Sequence, residues 1–224
     1  MFQTLADLSA AGTTLGVRVD INSPLEDGEL ADDSRVRAHL ETLSELLDRG
    51  ARVAVLAHQG RPGGDEFATL ASHAARLDEL LDAPVDYCDA TFTAAARERV
   101  DALENGECVV LENTRFYSEE YMEFDPETAA DTFLVRELAP ALDAFVNDAF
   151  AAAHRSQPSL VGFPVRVPGY AGRVMEQELE VLGSIESTTT PRVYALGGAK
   201  IVDSLDVARS VLERGFADHV IVSG

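Results

Sequence analysis

The sequence predicts an α/β fold, a parallel sheet with helices on both faces in a Rossmann-like three-layer arrangement, on three observations. Short β-branched runs alternate with longer segments of helical period along the chain. Their spacing is that of successive strand-helix-strand units, which require parallel strands and covered faces. Hydrophobic residues make up 46 % of the 224 positions with no polar low-complexity tract, which excludes disorder as the overall state.

The strands are expected at 15–20, 52–57, 84–88, 107–111, 144–147, 192–196 and 219–223. After the first, Val36, Leu40, Leu43 and Leu47 form one apolar helical stripe, with Asp32, Asp33 and Ser34 as caps and Gly50 just past the end. Weaker helical patterns occupy 68–81, 91–103 and 126–142. The stretch 158–172 carries Pro158, Pro164, Pro168, Gly162, Gly169 and Gly172 and reads as an irregular connection. A helix over 174–185, with Met175, Leu179, Leu182 and Ile185 on one side, leads through a Ser/Thr-rich segment to a new strand, a helix over 201–214 and a final strand. A domain boundary is expected near 170–188. The β-α-β piece after it, about 36 residues, is below the ~40 residues at which a domain holds a core unaided. The chain is therefore expected to be part of a larger unit or to have its open edge covered by a partner.

Ligands of open parallel sheets bind at the carboxyl ends of the strands. Those positions hold Asp20-Ile21-Asn22, His58-Gln59-Gly60-Arg61, Glu112-Asn113-Thr114-Arg115, Asn147-Asp148 with His154-Arg155 farther on, and Gly197-Gly198-Ala199-Lys200. Several arginine forks around one cleft match a small polyanion, and Arg35 at the start of the first helix adds another. Asp20 and Asn22 are spaced to hydrogen-bond a substrate hydroxyl. The paired glycines before Lys200 suit close approach of phosphate to backbone. His39, His73 and His219 have no second ligand at metal spacing and read as packing or surface residues. Tyr117, Tyr121, Phe116 and Phe124 fit either a cleft wall or the core.

Together these motifs resemble the phosphoglycerate kinase family. The resemblance runs over essentially the whole chain and is carried by Arg18-Val19-Asp20-Ile21-Asn22-Ser23-Pro24-Leu25, His58-Gln59-Gly60-Arg61-Pro62, Leu111-Glu112-Asn113-Thr114-Arg115-Phe116-Tyr117, Phe145-Val146-Asn147-Asp148-Ala149-Phe150 and Gly197-Gly198-Ala199-Lys200, in the family's order. It implies a two-domain kinase whose second domain is incomplete here: a phosphoglycerate-binding N-terminal domain over 1–170, an interdomain helix and linker over 171–188, and the beginning of a nucleotide-binding domain over 189–224. The implied reaction is reversible phosphoryl transfer between 1,3-bisphosphoglycerate with MgADP and 3-phosphoglycerate with MgATP. Carried over by position, the phosphoglycerate site is Asp20, Asn22, Arg35, His58, Gly60, Arg61, Arg115 and Arg155. The nucleotide site is Gly197, Gly198, Ala199 and Lys200, and Arg35 and Lys200 serve catalysis. No resident metal is implied, since Mg²⁺ arrives with ATP or ADP. The family pattern further implies a monomer when complete, and a hinge around 164–172 with the helix after it.

Three departures stand out: Ser204 where many relatives carry a second lysine, Gln59 where Leu is common, and Ala151 where Gly is common. Without the rest of a nucleotide domain, the 224 residues alone are expected to be inactive. The alternative is a truncated, noncatalytic phosphoglycerate-binding fragment.

Composition bears on the partners. Asp and Glu number 39 against 18 Lys and Arg, a net charge of −21, and Lys200 is the single lysine beside 17 arginines. Such a surface repels phosphate backbones and anionic lipid, so neither nucleic acid nor membrane is expected as a partner. Cys88 and Cys108 cannot form a disulfide framework and read as buried thiols of a reducing compartment. No basic leader or apolar stretch of ~18 residues is present, and a cytoplasmic location is expected. The excess acid with scarce lysine, in the version of the family found in haloarchaea, reads as adaptation to high salt, where screening removes self-repulsion. The melting temperature is accordingly expected to rise from millimolar to molar KCl. A salt-independent thermal melt would refute this.

Overall fold

The computed structural model describes residues 2–197 and 201–223. Contacts divide the chain into two units, Met1–Glu176 and Gln177–Gly224.

In the first unit the elements run β1 Thr14–Arg18, β2 Leu25–Glu26, β3 Glu29–Leu30, α1 Ser34–Ala38, α2 Leu40–Asp48, β4 Arg52–Leu56, α3 Ala71–Leu80 and β5 Val85–Cys88. They continue through α4 Ala94–Asp101, β6 Cys108–Leu111, α5 Pro126–Ala130, α6 Phe133–Leu138, β7 Ala144–Asn147, α7 Pro158–Val161, α8 Phe163–Arg166, β8 Gly169–Ala171 and the start of α9 Arg173–Ser184. Six strands form one parallel sheet in the order β5-β6-β4-β1-β7-β8.

The two-residue side-chain alternation of strands explains the layering. Val53, Val55, Cys108, Val110, Ala144 and Val146 point into one core with Leu43 and Leu46 of α2 and Leu77 of α3. Their neighbours Ala54, Leu56, Val109, Leu111 and Phe145 point into a second core with Val100 of α4, Leu134 and Leu138 of α6, and Phe163. Strands buried on both faces need continuous apolar runs, which is what these strands have. The α/β three-layer prediction is met.

Three local differences from the sequence reading occur in this unit. The stripe over Val36–Leu47 is broken into α1 and α2 at His39, which is buried and hydrogen-bonded to Asp148 (2.6 Å). The end of α2 matches expectation: the Gly50 and Ala51 amides return to the Leu47 and Leu46 carbonyls, with Gly50 at φ 78°. The pattern over 126–142 divides at Asp131-Thr132, where Thr132 precedes α6 and donates its hydroxyl to the Ala129 carbonyl (2.7 Å). A hairpin turns at Asp27-Gly28 between β2 and β3, outside the predicted strands.

The stretch 158–172 is ordered rather than irregular. Pro158 and Pro164 sit in the first turns of α7 and α8, where their missing N–H costs nothing. Phe163 is fully buried and stacks on Phe145 with ring centroids 4.9 Å apart. The Pro168 carbonyl accepts from the Phe145 amide (2.8 Å), and β8 then pairs with β7.

In the second unit, β9 Val193–Leu196 and β10 His219–Val222 pair in parallel across α10 Ile201–Glu213. Asp218 Oδ2 accepts from the Arg192 amide (2.7 Å) at the strand entrance. Among the described residues, no helix is long and apolar enough to cross a membrane.

Phe163→Ala should lower unfolding free energy by about 3–5 kcal/mol, because a cavity opens beneath the sheet face. Urea denaturation at fixed KCl checks this, and a loss below about 1 kcal/mol would place Phe163 outside the core.

Candidate functional site

β1, β4, β6 and β7 are adjacent and parallel, so the segments following them leave from one edge of the sheet. A cleft of about 610 Å³ opens among them, lined by Asn22 after β1, His58, Gly60 and Arg61 after β4, Arg115 after β6 and Arg155 after β7. Six of the residues expected at the phosphoglycerate site thus share one cavity. Asp20 and Arg35 do not line it. They pair with each other, Arg35 Nη1 donating to Asp20 Oδ2 at 3.1 Å. Asp20 Oδ1 is buried with no hydrogen-bond partner among the described residues. Gly197 follows β9 in the second unit, packed where a Cβ would meet the Ser223 hydroxyl at 2.8 Å. Gly198, Ala199 and Lys200 lie outside the described residues.

The backbone around the cleft is held by amide side chains. Asn22 Oδ1 accepts from the Gly60 amide (2.7 Å). Gly60 sits at φ 65°, and a Cβ there would collide with the Glu66 carbonyl, so glycine is required on two grounds. Asn113 Oδ1 accepts from the Gln59 and Arg115 amides (3.2 and 3.0 Å), while its NH₂ donates to the Gln59 and Ala68 carbonyls (both 2.8 Å). Arg115, itself buried, donates from Nη1 to the Gly60 carbonyl (2.7 Å), and its own carbonyl accepts from the Tyr121 hydroxyl (2.8 Å).

Sequence reasoning singled out no role for Arg18. It ends β1, is 2 % exposed and lies behind His58. Its Nη2 is 2.9 Å from His58 Nδ1, Nε donates to the Ser159 hydroxyl (3.0 Å), and Nη1 donates to the Val19 carbonyl. The Ser159 hydroxyl and amide both donate to the buried Glu120 carboxylate (2.7 Å each). An arginine cannot accept a hydrogen bond, so His58 Nδ1 is the acceptor and Nε2 carries the ring proton. Burial, reinforced by the positive charges of Arg18, Arg115, Arg155 and Arg35, pushes the His58 pKa down to about 2. His58 is therefore a neutral donor among fixed cations.

Two of the other histidines proved to be buried packing groups with specific partners. His39 donates from Nδ1 to Asp148 Oδ2 and accepts the Asp20 amide at Nε2 (3.1 Å). Asp148 Oδ1 in turn accepts from the Val174 amide (2.9 Å). His73 contacts Gln59 and is held at about 4 by burial. His219 is exposed on β10. Of the aromatic group, Phe116 packs edge-on to Phe67 (5.0 Å) and Tyr117 against Phe92 (4.3 Å), outside the cleft lining. Burial raises both thiols, Cys108 to about 12. The cleft also includes Leu25, Gly64, Asp65 and Glu66, which the strand-end rule did not reach because they lie farther along their loops.

The two depressed histidines make stability pH-dependent. The unfolded chain binds protons at His58 and His73 below about pH 6.5 while the folded state does not. Stability therefore falls as pH drops from about 6.5, by up to about 1.4 kcal/mol per pH unit for each histidine. His58→Gln should flatten this slope between pH 6 and 4 in urea titrations at fixed KCl, and an unchanged slope would contradict a neutral His58.

A family model described as phosphoglycerate kinase matches residues 5–224. The chain is 70 % identical over 224 residues to the phosphoglycerate kinase of Natronomonas pharaonis, covering 100 % of this chain and 57 % of that protein. It is 68 % identical over 223 residues to that of Halobacterium salinarum, covering 99 % and 56 %. The crystal structure of phosphoglycerate kinase from Pyrococcus horikoshii OT3 superposes with a TM-score of 0.95 at 44 % identity, over 100 % of this chain and 55 % of that one. The corresponding structure from Coxiella burnetii gives 0.79 at 29 %, again over 100 % and 55 %. The chain spans about half the length of the curated relatives it matches. A parallel sheet whose strand ends gather three arginines into one cleft, matched along nearly every residue by these kinases, leads to one conclusion: the chain belongs to the phosphoglycerate kinase family.

Proposed function

We propose that the whole protein transfers a phosphoryl group reversibly between 1,3-bisphosphoglycerate with MgADP and 3-phosphoglycerate with MgATP in glycolysis and gluconeogenesis. In this reading residues 1–170 bind phosphoglycerate, 171–188 form an interdomain helix and linker, and 189–224 begin the nucleotide domain. The supporting observation is that Arg61, Arg115 and Arg155 converge on one cleft in a chain of net charge −21. Cations gathered against that background serve a local anion rather than the general surface.

The roles follow from chemistry. Arginine forks donate to phosphate or carboxylate oxygens in bidentate geometry, and His58 adds a neutral N–H donor. The unpartnered Asp20 Oδ1 is an acceptor for the substrate hydroxyl. Arg35, held by Asp20 and half exposed, is available to the transferring group. Phosphoryl transfer needs positioning and charge stabilisation more than covalent help, so a set of fixed cations suffices on this side. Lys200, with Gly197, Gly198 and Ala199, would contact the nucleotide phosphates, and Mg²⁺ enters with the nucleotide as substrate. The reading places the enzyme in the cytoplasm of a salt-adapted cell as a monomer, without nucleic-acid or membrane partners.

Calorimetry with 3-phosphoglycerate at fixed KCl tests the site. Arg61→Ala and Arg155→Ala should each weaken binding by about 1.5–3 kcal/mol, the range for hydrogen bonds to charged groups. Unchanged affinity in both would refute the assignment.

A further inference from the structure

Gln59 is fully buried between the two loops that form one side of the cleft, and it has no surface on the cavity itself. All its hydrogen-bonding positions are used. Oε1 accepts from the Ser23 amide (3.0 Å) and faces His73 Nε2 (3.1 Å), while Nε2 donates to the Ser23 carbonyl (2.8 Å) and the Glu66 carbonyl (3.2 Å). The Ser23 backbone settles the amide orientation, since its N–H must meet oxygen and its carbonyl must meet NH₂. His73 Nε2 is therefore the donor. His73 is itself fully buried on α3.

The loops so clipped carry Asn22 and Leu25 on one side and Gly60, Arg61, Gly64, Asp65 and Glu66 on the other, all lining the cleft. Ser23 lies between Asn22 and Leu25, and Glu66 closes the second loop. The position of this side chain thus sets the separation of the two loops and ties both to α3. Leucine has the bulk to fill the space and none of the four bonds.

We propose that Gln59, anchored by His73, is a positioning residue that sets the spacing of the Asn22 and Arg61 loops and thereby the anion affinity of the cleft. The proposal rests on the phosphoglycerate reading for its ligand and on the clip geometry for its mechanism. Buried polar networks of this kind are cooperative, and removing one member leaves the others unsatisfied.

The full chain is compared with Gln59→Leu, His73→Leu and the double variant at fixed KCl, reading urea stability, 3-phosphoglycerate affinity by calorimetry, and amide hydrogen exchange at Ser23. Gln59→Leu should lose stability, raise Kd about 5- to 30-fold and speed Ser23 exchange about tenfold. The double variant should regain stability, because His73 no longer leaves a buried donor unpaired, while affinity and Ser23 exchange stay impaired. Affinity restored together with stability would overturn the proposal, as would unchanged affinity and Ser23 protection in Gln59→Leu. If the parent chain does not bind 3-phosphoglycerate, the phosphoglycerate reading fails on its own, and Ser23 exchange alone decides the clip. Should leucine prevent folding, Gln59→Met supplies the same readouts with an unbranched side chain of similar volume.

Discussion

Four adjacent parallel strands, buried on both faces, deliver their carboxyl ends to one edge of the sheet, and the polar groups of the cleft follow that edge. The apolar requirement of the strands and the charge of the site are two consequences of one arrangement. Each strand must remain hydrophobic until it leaves the sheet, so polar residues concentrate in the few positions beyond it. β1 shows the limit of that rule, since Arg18 is still within the strand and must be buried.

Burying cations at that edge demands a supporting polar layer. Arg18 is stabilised by the Ser159 hydroxyl, the Val19 carbonyl and His58, with the Glu120 carboxylate one hydrogen bond behind. Burial pulls the Arg18 pKa below its ordinary value, and Glu120 and Asp20 oppose that pull. The guanidinium nevertheless remains charged, given its high starting pKa. His58 stays neutral for the same reason that its neighbours are cationic: a further positive charge there would be both desolvated and repelled. The positive character of the cleft therefore resides in arginines, whose charge does not vary over the physiological pH range.

Backbone positions depend on buried amides more than on charge. Asn113 and Gln59 each satisfy backbone donors and acceptors from separate segments, a task for which their paired carbonyl and NH₂ are suited. His39 performs a similar linking function, joining the Asp20 amide to Asp148 and through it to the first turn of α9. These links join the loops of the cleft to helices on the flank of the sheet and leave the arginine side chains to face the cavity.

The sequence by itself determined the α/β class, the seven predicted strands to within a few residues, and the strand-end residues that meet in the cleft, because burial on both faces and helical period are local properties of the chain. The hairpin at Asp27-Gly28 was not anticipated, because the strands beside it are only two residues long and too short to show an alternating pattern. Only the tertiary structure decided what depends on a distant partner. It broke the helical stripe at His39 to reach Asp148, and it made β8 a strand by supplying the edge of β7. It also drew Arg18 and Glu120 into one buried network across 102 positions of sequence. Hydrogen-bond satisfaction inside the molecule is a long-range condition, and no window of sequence contains both partners.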